Sequence, residues 1–167
     1  MSTEAGVTPD EAPAATGTAG PEFRAWISLA HTYGHVSKAL DRSLTQEHGI
    51  SLAWFEVLAR LNNAEGQRMR LLQLSRDLVV SKASVTKLVD RMELAGLVRR
   101  ETPQEDKRAV YAALTQHGSA TLDKALPLQI HNIRQALSCL GRDELESLQS
   151  MLDDVIRGFD AQWRAKG

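Results

Sequence analysis

Ser81-Lys82-Ala83-Ser84-Val85-Thr86-Lys87-Leu88-Val89-Asp90-Arg91-Met92, then Gly96-Leu97-Val98-Arg99-Arg100, then Gln104-Glu105-Asp106-Lys107-Arg108, is the part of the sequence that decides the fold. Val85, Leu88, Val89 and Met92 recur at i, i+3, i+4 and i+7, the spacing of one buried helical stripe. At about 100° per residue, Ala83 and Lys87 point away from it. Ser81 supplies an N-cap, and Gly96 a residue able to turn left-handed at the helix end. Residues 97–102 and 107–114 read as short strands, and Pro103 to Asp106 suits the turn between them. Upstream, Leu72 to Val79 reads as a shorter helix with Leu74 and Leu78 inward and no good cap at its start. Helix, turn, helix and hairpin in this order make a helix-turn-helix followed by a β-wing.

Outward from this core, Pro21 opens a long helix with Phe23, Trp26, Ile27, Ala30, Tyr33, Leu40 and Leu44 at roughly helical spacing, and Gly49 stops it. Ser51 caps a second helix, apolar nearly all round through Trp54, Phe55, Val57, Leu58 and Leu61, and therefore buried. Arg68 to Leu71 offers a strand to the wing sheet. Thr115 caps a fifth helix with Leu122, Leu126, Ile130, Ile133, Leu137 and Leu140 on one face, and Pro127 is expected to kink it. A sixth follows Gly141, where Leu145, Leu148, Leu152, Val155 and Phe159 form a heptad seam that Trp163 extends imperfectly. These terminal helices carry more apolar surface than one small lobe covers, so a second copy is the natural partner.

The expected fold is mainly α with a small β-wing: a winged helix-turn-helix with N- and C-terminal dimerisation helices. Residues 1–20 read as a disordered acidic arm rich in Ala, Thr, Gly and Pro. Residues 21–50 form the N-terminal dimerisation helix, 51–115 the DNA-binding lobe, and 116–167 the C-terminal dimerisation helices.

A length of 167 residues fits one domain, and 43% apolar with 25% charged residues is ordinary for a globular chain. No apolar run is long enough to span a bilayer and the N-terminus lacks a signal-peptide pattern, so no membrane partner is expected. Cys139 is the sole cysteine, which excludes an intrachain disulfide and points to a cytoplasmic location. The net charge of −1 hides an asymmetry: Arg68 to Arg108 holds ten Lys or Arg against six Asp or Glu. That segment is basic and the remainder acidic, a distribution that draws phosphates to the helix-turn-helix and wing.

A major groove accepts a helix whose exposed side is small and polar or basic, because bulk would hold the backbone away from the bases. Ser81, Ser84 and Thr86 offer hydroxyls to phosphates, Lys82 and Lys87 reach phosphates or guanine acceptors, and Ala83 permits close approach. Taken alone, the same residues also suit a plain amphipathic surface helix. Lys107 and Arg108, at or just after the hairpin tip, are placed for an adjacent minor groove, with Asp106 bracing Arg108.

These residues resemble the multiple antibiotic resistance regulator (MarR) family of winged helix-turn-helix transcription factors. The match runs from Leu74 through Gly118: residues 81–93, then Ala95 to Arg100, Asp106-Lys107-Arg108, and Leu114-Thr115 with Gly118. The resemblance implies a homodimer, two winged lobes reading an inverted-repeat operator, and release by a small-molecule effector. Leu72 stands where many relatives have a capping hydroxyl and Ser75 where Ala is usual, which would loosen the third helix. Leu88 replaces the arginine of the urate-responsive branch. Cys139 is read as a packing residue on or beside the apolar face of the fifth helix.

Effectors of such regulators bind where dimer helices meet the lobe, which nominates His31, His35 and Trp54 as pocket residues. His31 and His35 also have the four-residue spacing of a metal pair. No ligand set completes it, so neither a metal nor another cofactor is assigned. No nucleophile elbow, phosphate loop, HExxH run or paired-cysteine motif nominates an enzyme. The function read from the sequence is a dimeric, sequence-specific, ligand-released transcriptional repressor. The alternatives are a metal- or thiol-responsive regulator of the same fold, or a winged-helix protein-interaction module.

Overall fold

The computed structural model describes residues 20–78, 81–102 and 109–163, with the side chains of Lys82 and residues 160–163 outside that description. The chain divides into two compact units, residues 1–39 and 40–167. Helix α1, Pro21–His48, runs through the boundary. Pro at its first position costs no hydrogen bond, Glu22 sits favourably in its positive first turn, and Gly49, at φ 67°, closes it. The described part of the first unit is this helix's leading arm, where Phe23, Trp26 and Tyr33 are exposed.

The second unit contains the rest of α1, α2 (Leu52–Asn63), a 3-10 turn (Glu65–Gln67), β1 (Arg68–Arg70), α3 (Leu71–Asp77), α4 (Lys82–Leu94), β2 (Val98–Glu101), β3 (Tyr111–Leu114), α5 (Gln116–Ala136) and α6 (Arg142–Trp163). The sheet has the order β1-β3-β2 and is antiparallel throughout. Three helix starts are capped as their sequences direct: Ser51 Oγ accepts the amide of Trp54, Ser81 Oγ that of Ser84, and Thr115 Oγ1 that of Gly118. Such caps stabilise by about 1 kcal/mol each.

The core gathers Leu44, Leu58, Leu61, Leu74, Val85, Val89, Met92, Val98 and Leu122 from both sides of the helix-turn-helix. Fully burying each large side chain contributes about 1.5–3 kcal/mol against water. The stripe expected on α4 is buried complete, Leu88 included. Asn132 Nδ2 donates to Ser43 Oγ at 2.9 Å, joining α5 to the trailing part of α1.

Some boundaries differ from the sequence reading. Helix α3 spans Leu71–Asp77 rather than 72–79, and its N-cap is Arg70, which makes no side-chain cap bond. Leu72 is thus already helical, while Ser75 is buried and donates its hydroxyl to the Leu72 carbonyl at 2.8 Å. That bond satisfies the polar group inside the core, so Ser75 is accommodated where loosening was expected. Among the described residues the strands are shorter than expected, with β2 ending at Glu101 and β3 beginning at Tyr111, while the expected turn at 103–106 lies outside them. Helix α5 runs Gln116–Ala136 with Pro127 inside it. Cys139 is exposed, not packed, because α5 ends at Ala136 and the cysteine lies in the following turn.

Candidate nucleic-acid interface

Helix α4 turns Val85, Leu88, Val89 and Met92 into the core, and that burial fixes what its opposite side presents. Ser81, Ala83, Ser84 and Lys87 are exposed, and Thr86 is half-buried on the flank. Ser81 and Ser84 are 2.8 Å apart at their hydroxyl oxygens, so capping and surface presentation share the same pair of groups. Lys82 begins the helix. Asp106, Lys107 and Arg108 lie outside the described residues.

The sequence did not single out what holds α4 against the wing. Arg100 on β2 donates through one terminal nitrogen to the Asp90 carboxylate and to the Thr86 carbonyl. Its backbone amide donates to Glu93 Oε1 at 2.8 Å, and its Nε stands 3.6 Å from Glu93 Oε2. A strand residue thereby grips about two turns of α4. The signal was present in the sequence as acids three apart, Asp90 and Glu93, followed by a strand arginine, but pairing across elements has no fixed spacing.

On the other face of the sheet, Glu101 accepts from Arg99 at 2.9 and 2.7 Å and from Arg68 at 3.1 Å. The Arg99 and Arg68 guanidiniums hold its carboxyl below the usual carboxylate range. Gly118, in the first turn of α5, lies so close to the Leu97 carbonyl that a Cβ there would sit 2.0 Å from its oxygen. The start of α5 thus lies directly against the backbone at Leu97, between α4 and β2.

His31 and His35 are exposed on α1 in the first unit, and Trp54 is half-buried on α2 in the second. Among the described residues, no three His, Cys, Asp or Glu side chains converge as a metal set. No described helix is long and apolar enough to cross a membrane. An open apolar groove of about 410 Å³ follows α6 past Leu140, Leu148 and Met151, and another of about 350 Å³ lies near Arg60, Met69 and Gln73.

The family model described as MarR family matches residues 50–110, the segment from Ile50 to just before β3. The structure of AbsC, a MarR family transcriptional regulator from Streptomyces coelicolor, superposes with a TM-score of 0.77 at 30% identity, covering 86% of this chain and 97% of that one. The chain belongs to the MarR family. A second MarR-family structure from the same organism, Sco3205 in complex with DNA, gives a TM-score of 0.77 at 27% identity over 84% of this chain and 92% of that one. The HTH-type transcriptional regulator YkoM of Bacillus subtilis (strain 168) is 35% identical over 124 residues, 74% of this chain and 79% of the relative. This MarR-family chain is accordingly a transcriptional regulator with the winged helix-turn-helix fold.

Proposed function

We propose that the protein is a homodimeric repressor that binds an inverted-repeat operator through α4 and the wing and is released by a small-molecule effector. The observation that carries this reading is the exposed row Ala83, Ser84 and Lys87 on a helix whose other side is locked into the core. Small residues let the helix sink into a major groove, and Lys87 reaches phosphate or guanine. Ser81, Lys82 and Thr86 complete the contact set on α4, and Lys107 with Arg108, braced by Asp106, enters the neighbouring minor groove. Occupying an operator suffices to repress, and an effector that favours a DNA-incompetent geometry suffices to release it.

The dimer is supported by apolar side chains that remain exposed on the second unit: Leu126, Ile130 and Ile133 on α5, and Met151, Val155 and Ile156 on α6. Contiguous apolar faces of this kind mark contact surfaces. Two-fold symmetry then sets half-sites about one helical turn, or a multiple, apart.

The test is fluorescence-anisotropy titration of the protein against its own upstream DNA and scrambled DNA over a salt series. Tight, sequence-selective, salt-sensitive binding supports the reading. Equal weak binding to both DNAs, persisting against duplexes selected from a random pool, overturns sequence-specific recognition.

A further inference from the structure

The wing sheet has two faces of opposite character. Its register sets Ala113 between Arg68 and Arg99, and Tyr111 between Arg70 and Glu101. Because side chains alternate along a strand, these residues share one face, while Met69, Val98, Arg100, Ala112 and Leu114 belong to the other. The inner face meets the core and α4; the outer face carries three guanidiniums and one carboxylate.

Those guanidiniums are ordered yet accessible. Glu101 grips Arg99 and Arg68, whose side chains remain 59% and 52% exposed. Arg68 and Arg70 lie 5.4 and 5.5 Å from the Tyr111 ring centroid, and Arg70 Nε donates to the Tyr111 hydroxyl at 2.8 Å. The ring holds the two forks in place by cation–π attraction. The surplus of positive charge on this face stands out in a chain whose net charge is −1. Apart from Tyr111 it has little apolar area with which to hold a protein partner, whereas planar guanidinium forks match phosphate oxygens.

We propose that this outer sheet face is a second nucleic-acid contact, gripping the phosphate backbone of the duplex that flanks the site read by α4. The proposal rests on the DNA-binding reading above. Phosphate contacts carry no base information, so the face adds affinity without altering the sequence read. Glu101 competes with phosphate for Arg68 and Arg99 and thereby limits the grip.

The experiment compares two labelled duplexes carrying the same selected site, one ending at its boundaries and one extended by about ten base pairs on each side, roughly one further helical turn. The wild-type protein is expected to bind the longer duplex more tightly, with a steeper salt dependence. In the Arg68→Ala/Arg99→Ala variant the length advantage disappears, and the slope of log affinity against log salt on the longer duplex falls by about two. In Glu101→Gln the length advantage grows. Circular dichroism confirms that each variant is folded. Wild-type binding with no length advantage, or an advantage unchanged in both variants, overturns the proposal while leaving operator recognition intact. Failure of the wild-type protein to bind either duplex overturns the DNA-binding reading itself.

Discussion

Arg100 on β2 donates to the carboxylate of Asp90 on α4, a pair that ties the strand to the helix beside it. With the Arg100 side chain 28% exposed, the pair is partly shielded from water, and the Thr86 carbonyl and Glu93 support the same guanidinium. Replacing Arg100 by Met removes these bonds while keeping much of the aliphatic stem. The expected result is a loss of about 1–2 kcal/mol in urea unfolding, between the values of an exposed pair and a charge-assisted buried one. A variant as stable as wild type shows that the bracket contributes nothing to the lobe.

Gly118→Ala is a much harsher change, because the new methyl would collide with the Leu97 backbone carbonyl, which has no rotamer with which to move aside. A loss of about 3 kcal/mol or more is expected, within the range of severe overpacking. By contrast Gly96→Ala meets open space and strains only the left-handed backbone at φ 71°, at about 1 kcal/mol. Thermal melting of the two variants in parallel checks the order.

Glu101 supplies a pH dependence of definite sign. Its hydrogen bond from Arg99, then that from Arg68, lowers its pKa from the ordinary 4.5, so the folded state binds its proton less readily than the unfolded chain. The resulting stabilisation is present above 4.5 and is lost as pH falls through the lowered folded value. Since both arginines are exposed, the effect is screened and amounts to about 1 kcal/mol at most. Chemical unfolding of wild type and Glu101→Gln from pH 7 downward should give curves that converge in acid; parallel curves count against the linkage.

Ile130→Asp and Val155→Asp place charges on apolar surface that is already exposed on the single chain. For an isolated chain such changes are nearly neutral. If these faces cover one another in a dimer, sedimentation analysis of either variant should show a shift toward the monomer at concentrations where wild type is dimeric. A wild-type protein that sediments as a monomer ends the dimer proposal directly.

Lys87→Ala is expected to weaken binding to the selected operator more than to random DNA, as a base-reaching cation would. An equal loss on both would reassign Lys87 to phosphate contact alone.

Periodicity and capping were enough to read most of the fold, because Val85 to Met92 must bury one stripe and because Ser51, Ser81 and Thr115 each precede a helix whose first amides need acceptors. The short elements were harder. The seven-residue α3 has no cap and begins directly from β1, so its limits depend on tertiary contacts absent from local pattern. Cys139 was misplaced for a related reason: an apolar spacing that continues to Leu140 does not show that the helix itself has stopped. The exposed row on α4 was legible, as residues opposite a buried stripe always are. The Arg100 bracket and the Arg68–Glu101 contact were not, since they join different elements whose spacing no local pattern fixes.

The Thr115 hydroxyl lies 2.7 and 3.0 Å from the carbonyls of Gly96 and Leu97 and accepts the Gly118 amide at 2.9 Å, while its own amide donates to Leu97. The two roots of the wing are therefore riveted at one point, with the end of α4 on one side and the start of α5 on the other. A rotation of α5 must carry that end of α4 with it, as a crank carries its shaft. If the effector release proposed above turns α5, the exposed row of α4 changes its aim with it.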